Sequence, residues 1–233
     1  MRFAAIETSG DWCSVALWLD GEIASLERRT SAGHSELALP LLERLLASAG
    51  LARGQLDAVA FGAGPGAFTG LRIACGIAQG LAFARGLPVA GVSCLEAIAE
   101  EAGAERVLAC IDARMREVYY AALEREPGGG WRTVVQPQCV PPAEAPLPRG
   151  QGWVGCGSGF GAYAETLRNR MAPVIETVHP EVHPTALAVA RLAAPRLLSG
   201  EGVDASRAAP VYLRDKVALT MEEQKEARKE PQR

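Results

Sequence analysis

Gly62-Ala63-Gly64-Pro65-Gly66-Ala67-Phe68-Thr69-Gly70-Leu71-Arg72 decides how this chain is read. It stands between an apolar run, Asp57 to Phe61, and a helix-length apolar segment that ends at Arg85-Gly86. Four glycines and a proline between a strand and a helix demand unusual backbone angles or close backbone approach. The helix start, with its free N–H groups, would suit an anion or phosphate; a tight strand-to-helix connection with no ligand explains the same glycines. The predicted helix, Gly70 to Arg85, is nearly uncharged and rich in small residues (Ala74, Gly76, Ala78, Gly80, Ala82, Ala84). Such a helix is buried in a core or lies close against another helix, which makes it a docking surface. A charge at Ala78 or Ala82, whichever faces out, is expected to abolish pairing without unfolding the chain.

The stretch is not a P-loop, because no Lys-Ser/Thr pair follows the glycines. Gly62, Gly64 and Ala67 fit the dinucleotide pattern GxGxxA, as do Gly157, Gly159 and Ala162, with Glu176 19 residues after Gly157. Both matches follow antiparallel hairpins instead of opening a βαβ unit, so nicotinamide binding is a weak reading.

Working outward, strands are predicted at Phe3–Ile6, Cys13–Leu19 and Glu22–Arg28, with Asp20-Gly21 as the hairpin turn. A helix follows at Ser35–Ala49, where leucines recur at i+4 and Gly50 marks the stop. Then come strand Asp57–Phe61, the glycine loop and its helix, strand Pro88–Val92, and a helix from Ser93 to Ala102 opened by a Ser93/Glu96 capping box. The second half repeats the order: strands Val107–Asp112, Glu117–Arg125 and Thr133–Val140, a Pro-rich linker, strand Trp153–Cys156, helix Gly161–Met171, strand Val174–Val178 and helix Thr185–Leu198. This predicts a duplicated, two-lobed α/β fold. The expected divisions are 1–102 for the first lobe, 103–200 for the second, and 201–233 for a segment that returns to the first. The charged tail after Arg214 is expected to be frayed or disordered.

A net charge of -3 and a pI near 5.7 argue against nucleic-acid binding by this chain alone. Arg72 and scattered glycines interrupt every stretch that might approach the ~18 apolar residues of a membrane span, and Glu7 comes too early for a signal peptide. The six cysteines form no CxxC pair and read as reduced cytosolic thiols, so a cytoplasmic location is expected.

Chemistry-bearing candidates are few. Glu7-Thr8-Ser9-Gly10 forms the first strand-to-strand turn and would suit a phosphate or, through Glu7, a water-bound metal; an ordinary polar turn is the alternative. His34 and Ser35 precede a helix, but no GxSxG nucleophile elbow exists to make them a hydrolase pair. His179 and His183 have an i, i+4 spacing, yet Pro180 and Pro184 oppose a helix and no third zinc ligand is evident. The residues alone show no convincing catalytic set and no metal site.

GPGAFTGLRIACGIAQGLA (64–82) resembles the signature of the bacterial TsaB (YeaZ) family. Other pieces match in order: Glu7-Thr8-Ser9, Cys13 to Leu17, His34-Ser35-Glu36 with Leu41, Pro88-Val89 through Ala97, Ile111 to Arg114 with Glu117 to Tyr119, and Pro210 to Arg214. The resemblance implies the actin, sugar-kinase and Hsp70 type of ribonuclease H-like fold. It implies a non-catalytic accessory subunit in making N6-threonylcarbamoyladenosine in tRNAs that read ANN codons. A paralogue, TsaD, carries out the transfer, the small ATPase TsaE joins the pair, and tRNA is reached through the complex. By the same resemblance, docking falls on His34, Glu36, Leu41 and Leu45 of the first long helix and on Gly70, Arg72, Ile73, Ala74, Ile77, Ala78 and Leu81 of the second. A homodimer through these helices is expected when the partner is absent. No cofactor is expected for the chain alone, with ATP or ADP and Mg placed at the joint surface of the complex. Glu7 stands where the family opens with Asp, which puts autonomous nucleotide binding in doubt, and the one N-terminal histidine, His34, argues against TsaD-like metal chemistry. The competing readings are an ATP-using kinase or hydrolase of the same fold, a peptidase acting on its partner, and an oxidoreductase resting on the GxGxxA matches.

Overall fold

Strands β1 (Arg2–Glu7) and β2 (Trp12–Leu19) are apolar on both faces, as central strands covered on two sides must be. Ala4 and Ile6 face one layer of helices, while Phe3 and Ala5 face another. β3 (Glu22–Arg29) pairs only with β2 and is mostly exposed and charged, which suits a sheet edge. The β2–β3 turn is Asp20-Gly21, both with positive φ (53° and 112°). In the computed structural model, which describes residues 1–30 and 33–214, this sheet continues through β4 (Ala58–Gly64) and β5 (Val89–Ser93) in the order β3-β2-β1-β4-β5. The second sheet contains β6 (Arg106–Arg114), β7 (Glu117–Arg125), β8 (Trp131–Val140), β9 (Trp153–Cys156) and β10 (Ile175–His179). Its order, β8-β7-β6-β9-β10, reproduces the first, with the same two antiparallel and two parallel pairings. The duplicated two-lobed architecture expected from the sequence is therefore present.

Helices α1 (His34–Ser48) and α2 (Phe68–Phe83) cover one face of the first sheet, with Leu41, Leu42, Leu45 and Leu46 of α1 and Ala74, Ala78 and Ala82 of α2 against Ile6, Val15, Val59 and Phe61. The other face is covered by α6 (Ala186–Leu198), through Val189, Ala193 and Leu197. This corrects the lobe boundaries: α6 falls within 103–200 in sequence yet completes the first lobe. Conversely α3 (Cys94–Ala102), within 1–102, lays Leu95, Ile98 and Ala99 on the second sheet against Val107, Ala109, Ala121 and Leu123. Its opposite side gives Ala97 to the α6 layer. Each lobe thus supplies a helix at the junction, and no cut in sequence separates two self-sufficient units. Ser93 Oγ caps α3 by accepting from the Glu96 N–H at 3.4 Å, which is the N-cap half of the expected capping box.

The expected helix Gly161–Met171 is two helices, α4 (Ser158–Ala162) and α5 (Ala164–Met171), broken at Tyr163 (φ -126°, ψ 42°). α4 starts at Ser158, earlier than expected, and its Gly159 lies directly on Cys110, where a β-carbon would collide with the sulfur. From residue 201 the chain runs back along the first lobe: Val203 exchanges two backbone hydrogen bonds with Val89, and Ala205 and Ala208 enter the α1/α2 core. The expectation for the tail after Arg214 lies outside the described residues.

Candidate docking face and inter-lobe cleft

The glycine loop is shaped by its own chain. A β-carbon at Gly62 would overlap the Glu7 carboxylate, one at Gly66 would lie 2.6 Å from Ser9 Cβ, and one at Gly70 would overlap the Thr8 carbonyl oxygen. Gly64 (φ +120°) meets the carbonyl of Val211, 2.5 Å from where its β-carbon would stand. Hydrogen bonds seal the contact: Ala67 N–H donates to Ser9 O at 2.8 Å, and Thr8 Oγ1 donates to Gly70 O at 2.7 Å. The β1–β2 turn therefore sits on the first turn of α2.

This corrects the phosphate-cradle expectation for Glu7 and Thr8, whose side chains are tied to the chain's own atoms; Ser9 and Gly10 border the cavity between the lobes, and Ser9 Oγ has no hydrogen-bond partner there among the described residues. Glu7, Thr8 and Ser9 are buried, and only Gly10 is exposed. The Ser9 N–H donates to Glu7 Oε1 at 2.5 Å, and the Cys94 thiol to Glu7 Oε2 at 3.4 Å, so the carboxyl group is folded inward beneath Gly62. Burial raises the Glu7 pKa; hydrogen bonds from Ser9 and Cys94 pull the other way without cancelling it. The folded state therefore holds this proton to higher pH than the unfolded chain. The corresponding stability is complete below the usual carboxylate range and is lost as pH rises through the raised value. Glu7→Gln removes that dependence: relative to the parent, its Tm should gain on going from pH 5 to pH 8. Parallel Tm curves for the two proteins over that range would show that Glu7 titrates as an ordinary carboxylate.

On α1 and α2 the expected docking residues divide. Leu41, Leu45, Ala74 and Ala78 are buried in their own lobe, as is Gly70 under Thr8. Neither Ala78 nor Ala82 faces out, because both are 0% exposed. A charge at either would enter the core and destabilise the monomer, which corrects that expectation. Glu36 and Arg72 are exposed, and His34, Ile73, Ile77 and Leu81 are half-buried. Gly76 and Gly80, outside the expected set, are exposed with open space where a β-carbon would be. The signal that separates them is phase: Leu71, Ala74, Ala78 and Ala82 share the inner face at i+3 and i+4 steps, leaving Arg72, Gly76 and Gly80 outside. Arg72 lies over the Phe68 ring at 3.8 Å.

Between the lobes is a cavity of about 1120 Å³, bordered by Trp12, His34 and Phe68 on one side, Asp112 and Arg114 on the other, and Arg214. Burial lowers the His34 pKa, which favours the neutral imidazole. Asp112 accepts from the Arg114 N–H at 2.9 Å, while its own N–H donates to Ser158 Oγ at 3.1 Å. His183 stacks on Trp12 (4.6 Å between centroids, 8° between planes), whereas His179 faces Glu181. His183 also meets Glu181, at its carbonyl oxygen and not its carboxylate, and among the described residues no three His, Cys, Asp or Glu side chains assemble as metal ligands. The second GxGxxA match is also a packing device, with Gly157 against the Cys110 carbonyl and Gly159 against its sulfur. Among the described residues no helix is long and apolar enough to cross a membrane.

The family model described as "TsaD: tRNA N6-adenosine threonylcarbamoyltransferase" matches residues 27–221. The tRNA threonylcarbamoyladenosine biosynthesis protein TsaB of Escherichia coli is 37% identical over 94% of this chain and 96% of its own. The protein of the same name from Haemophilus influenzae is 36% identical over 93% and 95%. Among solved structures, YeaZ from Pseudomonas aeruginosa superposes with a TM-score of 0.84 at 41% identity, covering 91% of this chain and 99% of that one.

Proposed function

The chain belongs to the TsaB (YeaZ) family of tRNA threonylcarbamoyladenosine biosynthesis proteins, and on that premise we propose that it is a non-catalytic subunit that pairs with and activates a TsaD-type transferase. The observation that carries this reading is the filled glycine loop. Glu7 accepts from the Ser9 N–H and the Cys94 thiol, Thr8 Oγ1 donates to Gly70 O, and the loop glycines admit Glu7, Thr8, Ser9 and Val211. The outer face of α2 is accessible, with Arg72, Ile73, Gly76, Ile77, Gly80 and Leu81, beside Glu36 and His34 of α1. Small residues there let another helix approach closely, and half-buried aliphatics supply apolar area. We assign the transferase to this face, and a second copy of the chain when the transferase is absent. A TsaE-type ATPase joins the pair, ATP or ADP with Mg belongs at the joint surface, and tRNA is engaged through the complex, in keeping with the acidic pI near 5.7.

The test is threonylcarbamoylation of an ANN-reading tRNA by synthase, transferase and ATPase, with and without this chain. Product formed only in its presence is the expected result. Equal product without it would overturn the proposal and direct attention to the ATP-using or peptidase alternatives.

A further inference from the structure

The last described residues connect the lobes. At the first-lobe end, Ala208 O accepts from Gln79 Nε2 at 2.9 Å, and Val211 N–H donates to Ala63 O at 2.7 Å. Val211 O fills the space at Gly64, and Tyr212 rests on Phe68 (5.6 Å between centroids) while its hydroxyl accepts from Arg72 Nε at 3.2 Å. Leu213 then packs into the apolar cluster at the junction. At the second-lobe end, Arg214 donates through Nε and Nη2 to Glu117 Oε2 (3.0 and 2.6 Å) and through Nη2 to the carbonyls of Ala113 and Arg114 (3.0 and 3.3 Å).

The turn that Arg214 grips is strained. Arg114, Met115 and Arg116 have φ of 59°, 53° and 62°, three consecutive non-glycine residues in the left-handed region. L-residues rarely adopt that region in succession, and two-residue hairpin loops of this kind usually carry Asn-Gly. Strain persists only where surrounding contacts over-determine it. Here the guanidinium supplies them together with Asp112, which accepts from the Arg114 N–H, and it does so from the opposite end of a segment pressed on the first lobe.

We propose that residues 208–214 are a latch that sets the opening of the inter-lobe cleft, with Arg214 as the bolt in the β6–β7 turn and the first turn of α2 held in place through Phe68, Arg72 and Tyr212. The latch rests on contacts within this chain and stands whether or not α2 docks a partner. Its release lets the strained turn relax and frees the strap from both lobes.

The full chain carrying Arg214→Ala, with Arg214→Lys as the conservative variant, is compared with the parent by amide hydrogen exchange and small-angle scattering. Expected for Arg214→Ala is exchange about tenfold faster at Val211 and at Ala67 and Leu71 of the α2 start, together with a larger radius of gyration. Arg214→Lys keeps the charge but not the fork, and should fall between. Faster exchange confined to residues 113–117, or an unchanged radius, overturns the latch. If Arg214→Ala does not fold, Glu117→Ala decides, because it removes the carboxylate anchor and leaves the carbonyl bonds. Faster exchange at Val211 and Ala67 supports the proposal, and exchange equal to the parent there rejects it.

Discussion

Gly70→Ala lowers stability by about 4 kcal/mol, at the upper end for a single substitution, and Tm by roughly 8–16 °C. The reason is positional. Gly70 lies in the first turn of α2, where a β-carbon would occupy the place of the Thr8 carbonyl oxygen. Overpacking costs about 1–3 kcal/mol where side chains can yield; here the obstacle is backbone. That backbone is fixed from both sides, by Thr8 Oγ1 on Gly70 O and by Ala67 N–H on Ser9 O. The same substitution at Gly76 or Gly80 meets nothing within 4 Å and replaces a poor helix former with the best, a gain of about 1 kcal/mol each. One helix therefore contains glycine-to-alanine changes of opposite sign, and thermal melts of the three variants check both. A Gly70→Ala protein that melts with the parent would mean that the β1–β2 turn is not seated on α2.

These glycines show what the sequence makes legible and what it hides. The density of glycine between Phe61 and Leu71 announces close approach, and that inference is local. What approaches is not local: Glu7 and Thr8 arrive from β1 and its turn, and Val211 from the far end of the described chain. A phosphate would account for the same composition, so the residues alone left both explanations standing. The duplicated element order was readable because both halves repeat an antiparallel hairpin start followed by alternating helices and strands, with Asp20-Gly21 marking one turn. The crossing of α3 and α6 at the junction was not, because amphipathicity states that a helix has an apolar face and is silent on which sheet it meets. The inner and outer faces of α2 were separable in principle. Small residues occur on both, and only their phase relative to Leu71 distinguishes Ala78 from Gly76.

That distinction makes the docking proposal testable without harming the fold. Gly76→Arg and Gly80→Arg place a long cation on the exposed face of α2, where the added side chain meets open space in the monomer. Arg is also a much better helix former than Gly, so the isolated protein should melt at or above the parent temperature. Across a close-packed helix pair the same side chain has nowhere to go, and its charge would be desolvated without a designed partner. Affinity for the transferase-type partner should fall at least about 100-fold, equivalent to ~2.7 kcal/mol, with tRNA modification falling in parallel at limiting concentrations. Ala78→Asp is the necessary contrast. It also abolishes pairing, but by driving a carboxylate into the core beside Ile6 and Phe61, so its Tm must drop as well. Calorimetry of binding and melts of each variant alone separate the two causes. Native affinity in both arginine variants would remove the outer face of α2 from the interface and leave the pairing surface to be sought elsewhere on the first lobe.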